Sequence, residues 1–421
     1  MLLAHEPNGR SGVIPEPTVK ESNLSEVWMK EEKLFYHGSR VLKERRRLLL
    51  LEEDEKYMGM ALALARRGAG HTRPNPMVGA VLVKNGRVIG SGWHQRYGGP
   101  HAEVNAFAAC AEDPAGATLY VTLEPCAHYG KTPPCADLII RKKVSRVVTA
   151  MTDPNPLVAG RGIEKLRRAG IDVTVGVLEN KCRRLNEVFL KYITEKRPFV
   201  LYKAAMSLDG KTACHTGDSQ WISSEISREE VHRLRGEYAG IMTGIGTILA
   251  DDPRLTVRLA EMKNPVRIIA DSCLRIPPEA RVLHEPGRTI LLTTSKAPAD
   301  KIKMLEALGA EIISADGADG EVDLWAAMKT LADREIDSIL LEGGSVLAAA
   351  AVRAGIVDKV CFYAAPLLIG GRTAPTPLGG AGASRLADAV RLKDMRGELC
   401  GPDIRITAYV EKRDEDVHGN H

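Results

Sequence analysis

The chain has 421 residues, of which 44% are hydrophobic and 27% are charged. Because a typical domain has about 100 to 150 residues, we expect at least two domains, and this composition excludes wholesale disorder. The 58 basic and 54 acidic residues leave a formal net charge of +4. So small an excess argues against a broad nucleic-acid-binding surface and favours a small-molecule substrate.

No stretch approaches the roughly 18 consecutive apolar residues of a membrane-spanning helix, and the first residues do not resemble a secretory signal. We therefore expect a cytoplasmic protein with no membrane partner. Eight cysteines in so long a chain are too few for a disulfide scaffold, so most are interpreted as reduced thiols. A homo-oligomer is expected, although the sequence does not give its subunit number.

Residues 1–53 are rich in charge and are predicted to be an extension, disordered at first and helical near its end. From Glu55 the segment YMGMALALARRGAG has apolar residues at helical spacing. The segment VGAVLVKNGRVIGSGWH has two β-branched runs joined by Asn85-Gly86, a strong hairpin signal. HAEVNAFAAC and GRGIEKLRRAG then predict helices, while ATLYVTLEPC, RVVTAM and IDVTVGV predict strands. This alternation indicates an α/β domain over 54–197.

A second α/β domain is predicted over 198–412, because a charged helix end and Pro198 precede a new apolar strand. Its helices include SREEVHRLRGEY and GSVLAAAAVRAG. Its predicted strands are IMTGIGTIL, PVRIIAD, TILLTTS, AEIISA, SILLEGG and KVCFYAAPLLI. Residues 413–421 are expected to form a frayed tail.

One group of residues in the first domain has the composition of a metal site. His101 lies at the start of a predicted helix, Cys126 ends a predicted strand, and Cys135 follows. One imidazole and two thiolates suit zinc, and three protein ligands leave a position for water, as in catalytic zinc sites. Glu103 is then free to carry protons, which indicates hydrolytic deamination.

The spacing departs from the zinc deaminase signature H-x-E followed by P-C-x-x-C. Eight residues, AHYGKTPP, separate Cys126 from Cys135 instead of two. The alternative interpretation is that the two cysteines are ordinary buried thiols and that His101 caps a helix.

The segments PCAHYGKTPPC, TRPNPMVGAV and GGPHAEVNA closely resemble the deaminase half of the bifunctional riboflavin biosynthesis deaminase and reductase family. The resemblance runs from about Asp54 to about Lys412. It implies a cytidine-deaminase-like zinc domain that deaminates a diaminopyrimidinone carrying a ribosylamino 5-phosphate. It also implies zinc ligands His101, Cys126 and Cys135, with Glu103 as acid and base. The implied substrate contacts are Asn75, His94, His128 and Lys131.

The second domain lacks a GxGxxG motif after its first strand, so an ordinary Rossmann fold is not indicated. Two other glycine-rich turns follow predicted strands, at 244–247 and at 343–345. A strand that leads through small residues into a helix can present free N–H groups to a dinucleotide pyrophosphate. Glycine turns are common, so this signal alone is weak.

LYKAAMSLDGKTA, SQWISS, TILADDPRLTVR and LLEGGS resemble the reductase half of the same family, which has the dihydrofolate reductase fold. The resemblance implies that NADPH reduces the ribosyl chain to a ribityl chain, and our candidates for polar groups at the sugar are Lys203, Asp251 and Glu342. Arg235 and Arg258 would hold the substrate phosphate because guanidinium groups match phosphate oxygens, with Ser219 and Leu255 adding contacts. The implied NADP contacts are Ala205, Trp221, Thr247, Asp251, Ser272, Gly344, Ser345, Val346 and Leu347.

The sequence thus predicts a bifunctional enzyme of riboflavin synthesis with Zn²⁺ and NADPH as cofactors. One alternative is a base or nucleoside deaminase whose degenerate reductase domain serves only for binding or assembly. Another is a zinc-stabilised nucleotide-binding regulator without catalysis. Glu103 argues against the regulator, because a structural zinc site needs no acid beside an open position. The near-neutral charge argues against an RNA substrate.

Overall fold

The computed structural model describes residues 48–129, 133–155, 159–259 and 262–412. Most of the predicted extension and the predicted frayed tail lie outside these residues. Residues 48–65 are helical (α1), so the helix predicted from Glu55 already includes residue 48. From Tyr57 onward the described residues belong to one compact unit that contains two sheets. None of the helices in the described part of the chain has the length and apolar character needed to cross a membrane.

The first sheet has five strands in the order β2-β1-β3-β4-β5. β1 is antiparallel to β2 and β3, whereas β3, β4 and β5 are parallel. The strands are β1 (Gly79–Lys84), β2 (Arg87–Trp93), β3 (Thr118–Val121), β4 (Arg146–Thr149) and β5 (Asp172–Val175). The helices after α1 are α2 (Ala102–Ala108), α3 (Cys135–Arg141), α4 (Arg161–Arg168), α5 (Glu179–Leu185) and α6 (Glu187–Glu195).

The predicted hairpin is confirmed, with Asn85 and Gly86 at φ of 52° and 71° between β1 and β2. Positive φ at both central residues is the requirement of a type I′ turn. Both faces of the sheet are covered by apolar clusters, one including residues of α2, α3 and α4 and the other residues of α1 and α5. At Gly92 a Cβ would lie 2.5 Å from the backbone nitrogen of Ala106, so only glycine allows α2 to pack this closely.

The second sheet has nine strands in the order β10-β9-β8-β7-β11-β6-β12-β14-β13. It is parallel from β10 to β12, and β14 and β13 add an antiparallel edge. The strands are β6 (Phe199–Ser207), β7 (Gly240–Gly244), β8 (Val266–Ala270), β9 (Thr289–Thr293), β10 (Glu311–Ser314), β11 (Ser338–Glu342), β12 (Lys359–Ala365), β13 (Leu392–Cys400) and β14 (Asp403–Val410). The helices are α7 (Glu225–Glu237), α8 (Ile245–Asp251), α9 (Arg281–His284), α10 (Ala299–Ala307), α11 (Leu324–Ala332) and α12 (Ser345–Arg353).

Two features of this sheet differ from the sequence prediction. The predicted strand IMTGIGTIL is wrong in its second half, because β7 ends at Gly244 and α8 begins at Ile245. Ile245 and Ile248 are buried on one face of this helix, which favours helical over extended backbone. The hairpin of β13 and β14 was not predicted, since β13 is a charged, almost wholly exposed strand without alternating burial.

The connecting helix α6 packs against residues of both sheets. Leu190 packs on the first core and Val188 on a cluster of the second. Lys191 donates to the largely buried carboxylate of Asp358 at 2.6 Å, and Lys359 donates to Glu187 at 2.8 Å. Asp358 also accepts from the backbone nitrogen of Val200 at the start of β6.

Candidate active sites

His101, Cys126 and Cys135 converge in the first domain, and their ligand atoms all lie within 4.8 Å of one another. His101 Nδ1 is 3.6 Å from Cys126 Sγ and 3.3 Å from Cys135 Sγ. His101 is the extended residue before α2, and Cys135 is the first residue of α3. The donor set of one imidazole and two thiols at this separation fits a zinc ion.

Of the two thiols, that of Cys126 ionises more readily. Hydrogen bonding by the Cys135 thiol, together with His101, lowers the pKa of Cys126 to about 4, while the pKa of Cys135 is raised by its bond to Cys126. The backbone nitrogen of Cys135 also donates to Cys126 Sγ at 3.3 Å. These hydrogen bonds favour the Cys126 thiolate, and the thiolate is the form of cysteine that binds a metal cation.

Glu103 lies in the first turn of α2, two residues after His101, and its side chain is buried. Burial raises the pKa of Glu103 to about 7, and the negative charge of Cys126 adds to the effect. A carboxyl group with a pKa near neutrality can both accept and donate a proton at physiological pH. This is the property that a deaminase needs beside its metal.

Asn75 and His94 lie next to the same cluster. The His94 ring packs edge-on against His101 with centroids 5.8 Å apart. His94 Nδ1 is 3.0 Å from the Pro100 carbonyl oxygen, which can only accept, so we assign the proton to Nδ1. His94 Nε2 then accepts from Asn75 Nδ2 at 3.4 Å, and burial lowers the pKa of His94. A neutral His94 thus orients the Asn75 amide.

His128 is exposed, and Lys131 lies outside the described residues. Their predicted contacts with substrate therefore remain predictions.

Glu124 is a positioning residue that the sequence analysis missed. Its buried carboxylate accepts hydrogen bonds from the backbone nitrogens of Gly162 and Ile163 at 2.8 and 3.2 Å, and from those of Asp153 and Gly160 at 3.0 and 2.9 Å. These bonds fix the start of α4 beside the segment that carries Cys126. The signal in the sequence was an acidic residue two positions before a candidate ligand, at the end of an apolar strand.

A cleft of about 1400 Å³ lies at the carboxyl ends of the parallel strands of the second sheet. Most of the predicted reductase residues line it, as expected for a ligand site in an open α/β sheet. Those that do are Lys203, Ala205, Ser219, Thr247, Asp251, Ser272, Glu342, Gly344, Ser345, Val346 and Leu347.

Three charged groups meet beside this cleft, and two of them, Lys203 and Glu342, line it. Glu342 and Lys203 are register partners on β11 and β6, and their charged atoms are 3.9 Å apart. Arg235 of α7 donates to both carboxylate oxygens of Glu342, at 2.8 and 2.9 Å. Burial opposes ionisation of Glu342, but Arg235 and Lys203 outweigh it and lower its pKa to about 2. Burial lowers the pKa of Lys203 despite the nearby carboxylate.

The two glycine-rich turns predicted from the sequence lie together. Gly344, which precedes α12, donates its backbone N–H to Thr247 Oγ1 of α8 at 3.0 Å. Gly343 has a φ of 140°, and a Cβ there would lie 2.1 Å from Thr243 Oγ1. The turn therefore requires glycine, and its small residues leave the start of α12 open toward the cleft.

Four predicted contacts do not line the cleft: Trp221, Arg235, Leu255 and Arg258. Trp221 is 65% exposed and packs under the Arg228 guanidinium at 4.7 Å, whereas Leu255 is buried. Arg258 is exposed. The phosphate role of Arg235 stays a prediction, because its guanidinium already donates to Glu342.

His232 was also missed by the sequence analysis. It lies one helical turn before Arg235 on α7, and burial, Arg235 and Arg258 all lower its pKa. The positive charges of Arg235 and Arg258, together with burial, therefore favour the neutral form of His232.

Two family models match the chain. Residues 51–151 match the cytidine and deoxycytidylate deaminase zinc-binding region, and residues 198–406 match the RibD C-terminal domain. The riboflavin biosynthesis protein RibD of Actinobacillus pleuropneumoniae is 46% identical over 85% of this chain and 95% of its own length. The RibD protein of Escherichia coli is 42% identical over 84% of this chain and 98% of its own length. The chain belongs to the RibD family.

Solved structures agree with this assignment. Acinetobacter baumannii RibD has a TM-score of 0.76 and 37% identity, covering 86% of this chain and all of that one. A deaminase/reductase from Thermotoga maritima has a TM-score of 0.75 and 38% identity, and the match covers 86% of this chain and 99% of that one. The predicted fold and bifunctional activity are confirmed: the chain is a riboflavin biosynthesis enzyme with a zinc-dependent deaminase and an NADPH-dependent reductase. The alternative of a base deaminase with a degenerate reductase is not favoured.

Proposed function

We propose that the first domain deaminates 2,5-diamino-6-ribosylamino-4(3H)-pyrimidinone 5′-phosphate and that the second reduces the product to 5-amino-6-(5-phosphoribitylamino)uracil. The observation that carries the proposal is the convergence of His101, Cys126 and Cys135 beside the buried Glu103. The solved Thermotoga maritima structure, which covers both halves, is described as the corresponding deaminase and reductase. We assign these activities to 54–197 and 198–412, and the start of β6 at Phe199 supports this boundary.

In the deaminase centre His101, Cys126 and Cys135 would hold the zinc ion. Zinc, when bound, activates water for attack on the ring carbon that bears the amino group. Glu103 takes the proton from the attacking water and delivers it to the ring amino group, which then leaves as ammonia when the C–N bond breaks. Asn75, held by His94, offers its amide to the edge of the pyrimidine. We assign His128 and Lys131 to further substrate contacts.

The reductase cleft would hold NADPH, which when bound would provide the hydride for the anomeric carbon of the open-chain imine, while the imine nitrogen would gain a proton. Lys203, Asp251 and Glu342 are the polar groups that would orient the sugar and balance this charge. Their position along one cleft supports the assignment. We assign the substrate phosphate to Arg235, Arg258, Ser219 and Leu255, and NADPH to Ala205, Trp221, Thr247, Asp251, Ser272 and residues 344–347.

We also infer that the protein acts as a homo-oligomer in the cytoplasm, on small molecules alone. The edge strand β13 supports self-association, because Met395 and Leu399 are 72% and 82% exposed. An unpaired strand edge with exposed apolar side chains is a common route to pairing with a second copy. Sedimentation of the wild type and of Leu399→Lys tests this, and a monomeric wild type would contradict it.

The decisive assay uses the purified protein with the proposed diaminopyrimidinone, with and without NADPH. Ammonia release without NADPH and a ribityl product with NADPH are expected, identified by mass spectrometry. Ammonia released from free cytidine but not from the ribosylamino phosphate would instead favour a base or nucleoside deaminase. A deaminated product that NADPH fails to reduce would contradict the second activity.

A further inference from the structure

Residues 70–75 of the first domain reach both the deaminase centre and the second domain. Asn75, at one end of this segment, has its amide held by His94 at the deaminase centre. Gly70, at the other end, packs on α7 of the second domain, since a Cβ there would lie 3.1 Å from the Gly236 carbonyl oxygen. The segment that carries the proposed pyrimidine contact therefore also contacts the reductase.

Arg73 makes a polar contact across this junction. Its Nη2 donates a long hydrogen bond of 3.4 Å to the carbonyl oxygen of Gly236, which lies 163 positions further along the chain. Gly236 is the penultimate residue of α7, where carbonyl groups lack partners within the helix and the helix dipole is negative. Arg73 thus caps the end of a helix that belongs to the other domain.

Arg73 and Asn75 belong to the same turn. The backbone nitrogen of Asn75 donates to the Thr72 carbonyl oxygen at 2.9 Å, so Arg73 and Pro74 are the central residues of a hydrogen-bonded turn. Thr72 is only 2% exposed, which fixes one end of the turn. Because the turn is short and closed, a displacement of Arg73 moves the backbone of Asn75 as well.

The acidic groups around the Arg73 guanidinium come from the second domain. Glu237 ends α7, and Asp337, just before β11, is 2% exposed. Both carboxylates favour the charged form of Arg73, although burial lowers the pKa of its guanidinium. Asp337 accepts from the Ser338 hydroxyl at 2.6 Å, and that hydroxyl accepts from the backbone nitrogen of Ala239 at 3.0 Å. Hydrogen bonds within the second domain therefore hold Asp337 in place.

Net stability does not account for the burial of Arg73. Its Nη1 is buried and has no hydrogen-bond partner among the described residues. An unpaired buried donor costs free energy, which offsets what one long hydrogen bond contributes. Arg184 of α5 also reaches the second domain, but it does so nearer the surface, donating to Asp394 at 3.0 Å. The place of Arg73 in the turn that carries Asn75 points instead to the deaminase centre.

We propose that Arg73 is a positioning residue of the deaminase, which anchors residues 70–75 to the end of α7 and so places the Asn75 amide for the pyrimidine. The second domain is then a structural part of the substrate site of the first, while the metal ligands and Glu103 stay within the first domain. The inference rests on the proposed role of Asn75 and adds the residue that positions it.

The test measures ammonia release by the zinc-loaded full-length protein from the proposed diaminopyrimidinone substrate. Arg73→Ala is expected to raise KM by about 10-fold with a smaller effect on kcat, because this is roughly the factor for one lost hydrogen bond to the pyrimidine. Arg73→Lys should recover part of the lost affinity, since a cation remains at the end of α7. Reduction of the supplied deaminated intermediate should keep its wild-type rate in both variants.

A double-mutant cycle with Asn75→Ala separates positioning from a general loss of stability. If Arg73 acts through Asn75, then Arg73→Ala in the Asn75→Ala background should change KM by less than about twofold. Arg184→Ala is the matched control, because it breaks another arginine contact between the two domains outside residues 70–75. Its KM should equal that of the wild type.

A wild-type KM in Arg73→Ala would overturn the proposal, as would independent effects of Arg73→Ala and Asn75→Ala or equal losses of deamination and reduction. An equally raised KM in Arg184→Ala would assign the effect to domain contact in general and would also overturn it. These outcomes leave the proposed function intact. A wild-type KM in Asn75→Ala would instead refute the proposed role of Asn75, and this inference with it.

Discussion

The two active centres are built in different ways. The proposed metal ligands and proton carrier of the deaminase centre lie within residues 101–135, at the starts of α2 and α3 and just beyond β3. The charged group of the reductase joins Lys203, Arg235 and Glu342 from β6, α7 and β11. The first centre therefore depends on local chain geometry, while the second depends on the register of parallel strands distant in sequence. A substitution that inactivates one centre should therefore leave the activity of the other unchanged.

The largest expected effect is loss of the metal. Cys126→Ser or Cys135→Ser should reduce zinc content from about one equivalent per chain to near zero and abolish deamination, because a serine hydroxyl is a poor zinc ligand. Metal analysis together with ammonia release measures this, and reduction of the supplied intermediate should persist. Full zinc retention in both variants would refute the ligand set.

Glu103→Gln isolates the proton carrier from the metal. The variant should keep its zinc but lose about 1000-fold in deamination rate, because an amide can hydrogen-bond to water without shuttling its proton. Its rate of reduction of the deaminated intermediate should match the wild type. An active glutamine variant would remove Glu103 from the mechanism, and loss of reduction in a folded protein would disprove the independence of the two centres.

Asp251→Ala is the reciprocal change in the second centre. Ammonia release should be normal, while reduction should slow by about 100-fold, since Asp251 lines the cleft and is proposed to contact sugar and cofactor. Stopped-flow oxidation of NADPH with the intermediate supplied gives the rate. Equal losses at both centres would show that the cleft is coupled to the deaminase.

The ion group of the reductase should also contribute to stability in a pH-dependent way. The pKa of Glu342 falls from its usual 4.5 to about 2, so its stabilisation is complete above pH 4.5 and is lost as the pH falls through about 2. We expect the Glu342→Gln variant to be less stable by about 3 kcal/mol near neutrality. Urea unfolding at pH 6 and pH 3 should show that this difference shrinks at the lower pH. A constant difference would contradict the low pKa.

The smallest effect is expected from removing residues 1–47. Their charged composition does not favour a hydrophobic core of their own, and the resemblance to the family begins after them. Both activities and the thermal midpoint should stay within error of the full chain, by the assays above. A folded but inactive truncated protein would reveal a role for the extension.

The sequence predicted the deaminase centre well because its chemistry is carried by residue types and short spacings. His101, Glu103 and Cys126 follow a pattern that zinc chemistry explains directly, and the long loop before Cys135 did not obscure it. Glu124 was missed because its only signal was its position two residues before Cys126, and its partners are backbone groups 29 to 39 residues away that no residue type identifies.

The reductase was harder to predict for a topological reason. The residues of the cleft were found through family resemblance, but the pairing of Arg235 with Glu342 joins positions 107 residues apart. Only the sheet order brings α7 and β11 together. The β13–β14 hairpin was missed because an exposed edge strand has no buried face, so its apolar residues do not alternate with polar ones.

The connecting helix α6 limits how this protein can be divided into two polypeptides. Dividing the chain at Arg197, the predicted domain boundary, would place Lys191 in the deaminase fragment and Asp358 in the reductase fragment. The Asp358 carboxylate would then lose its ion pair with Lys191. A carboxylate that is only 10% exposed tolerates this poorly. A division before Glu187 would keep Lys191 and Asp358 in one polypeptide, but it would separate Leu190 of α6 from the core of the first domain.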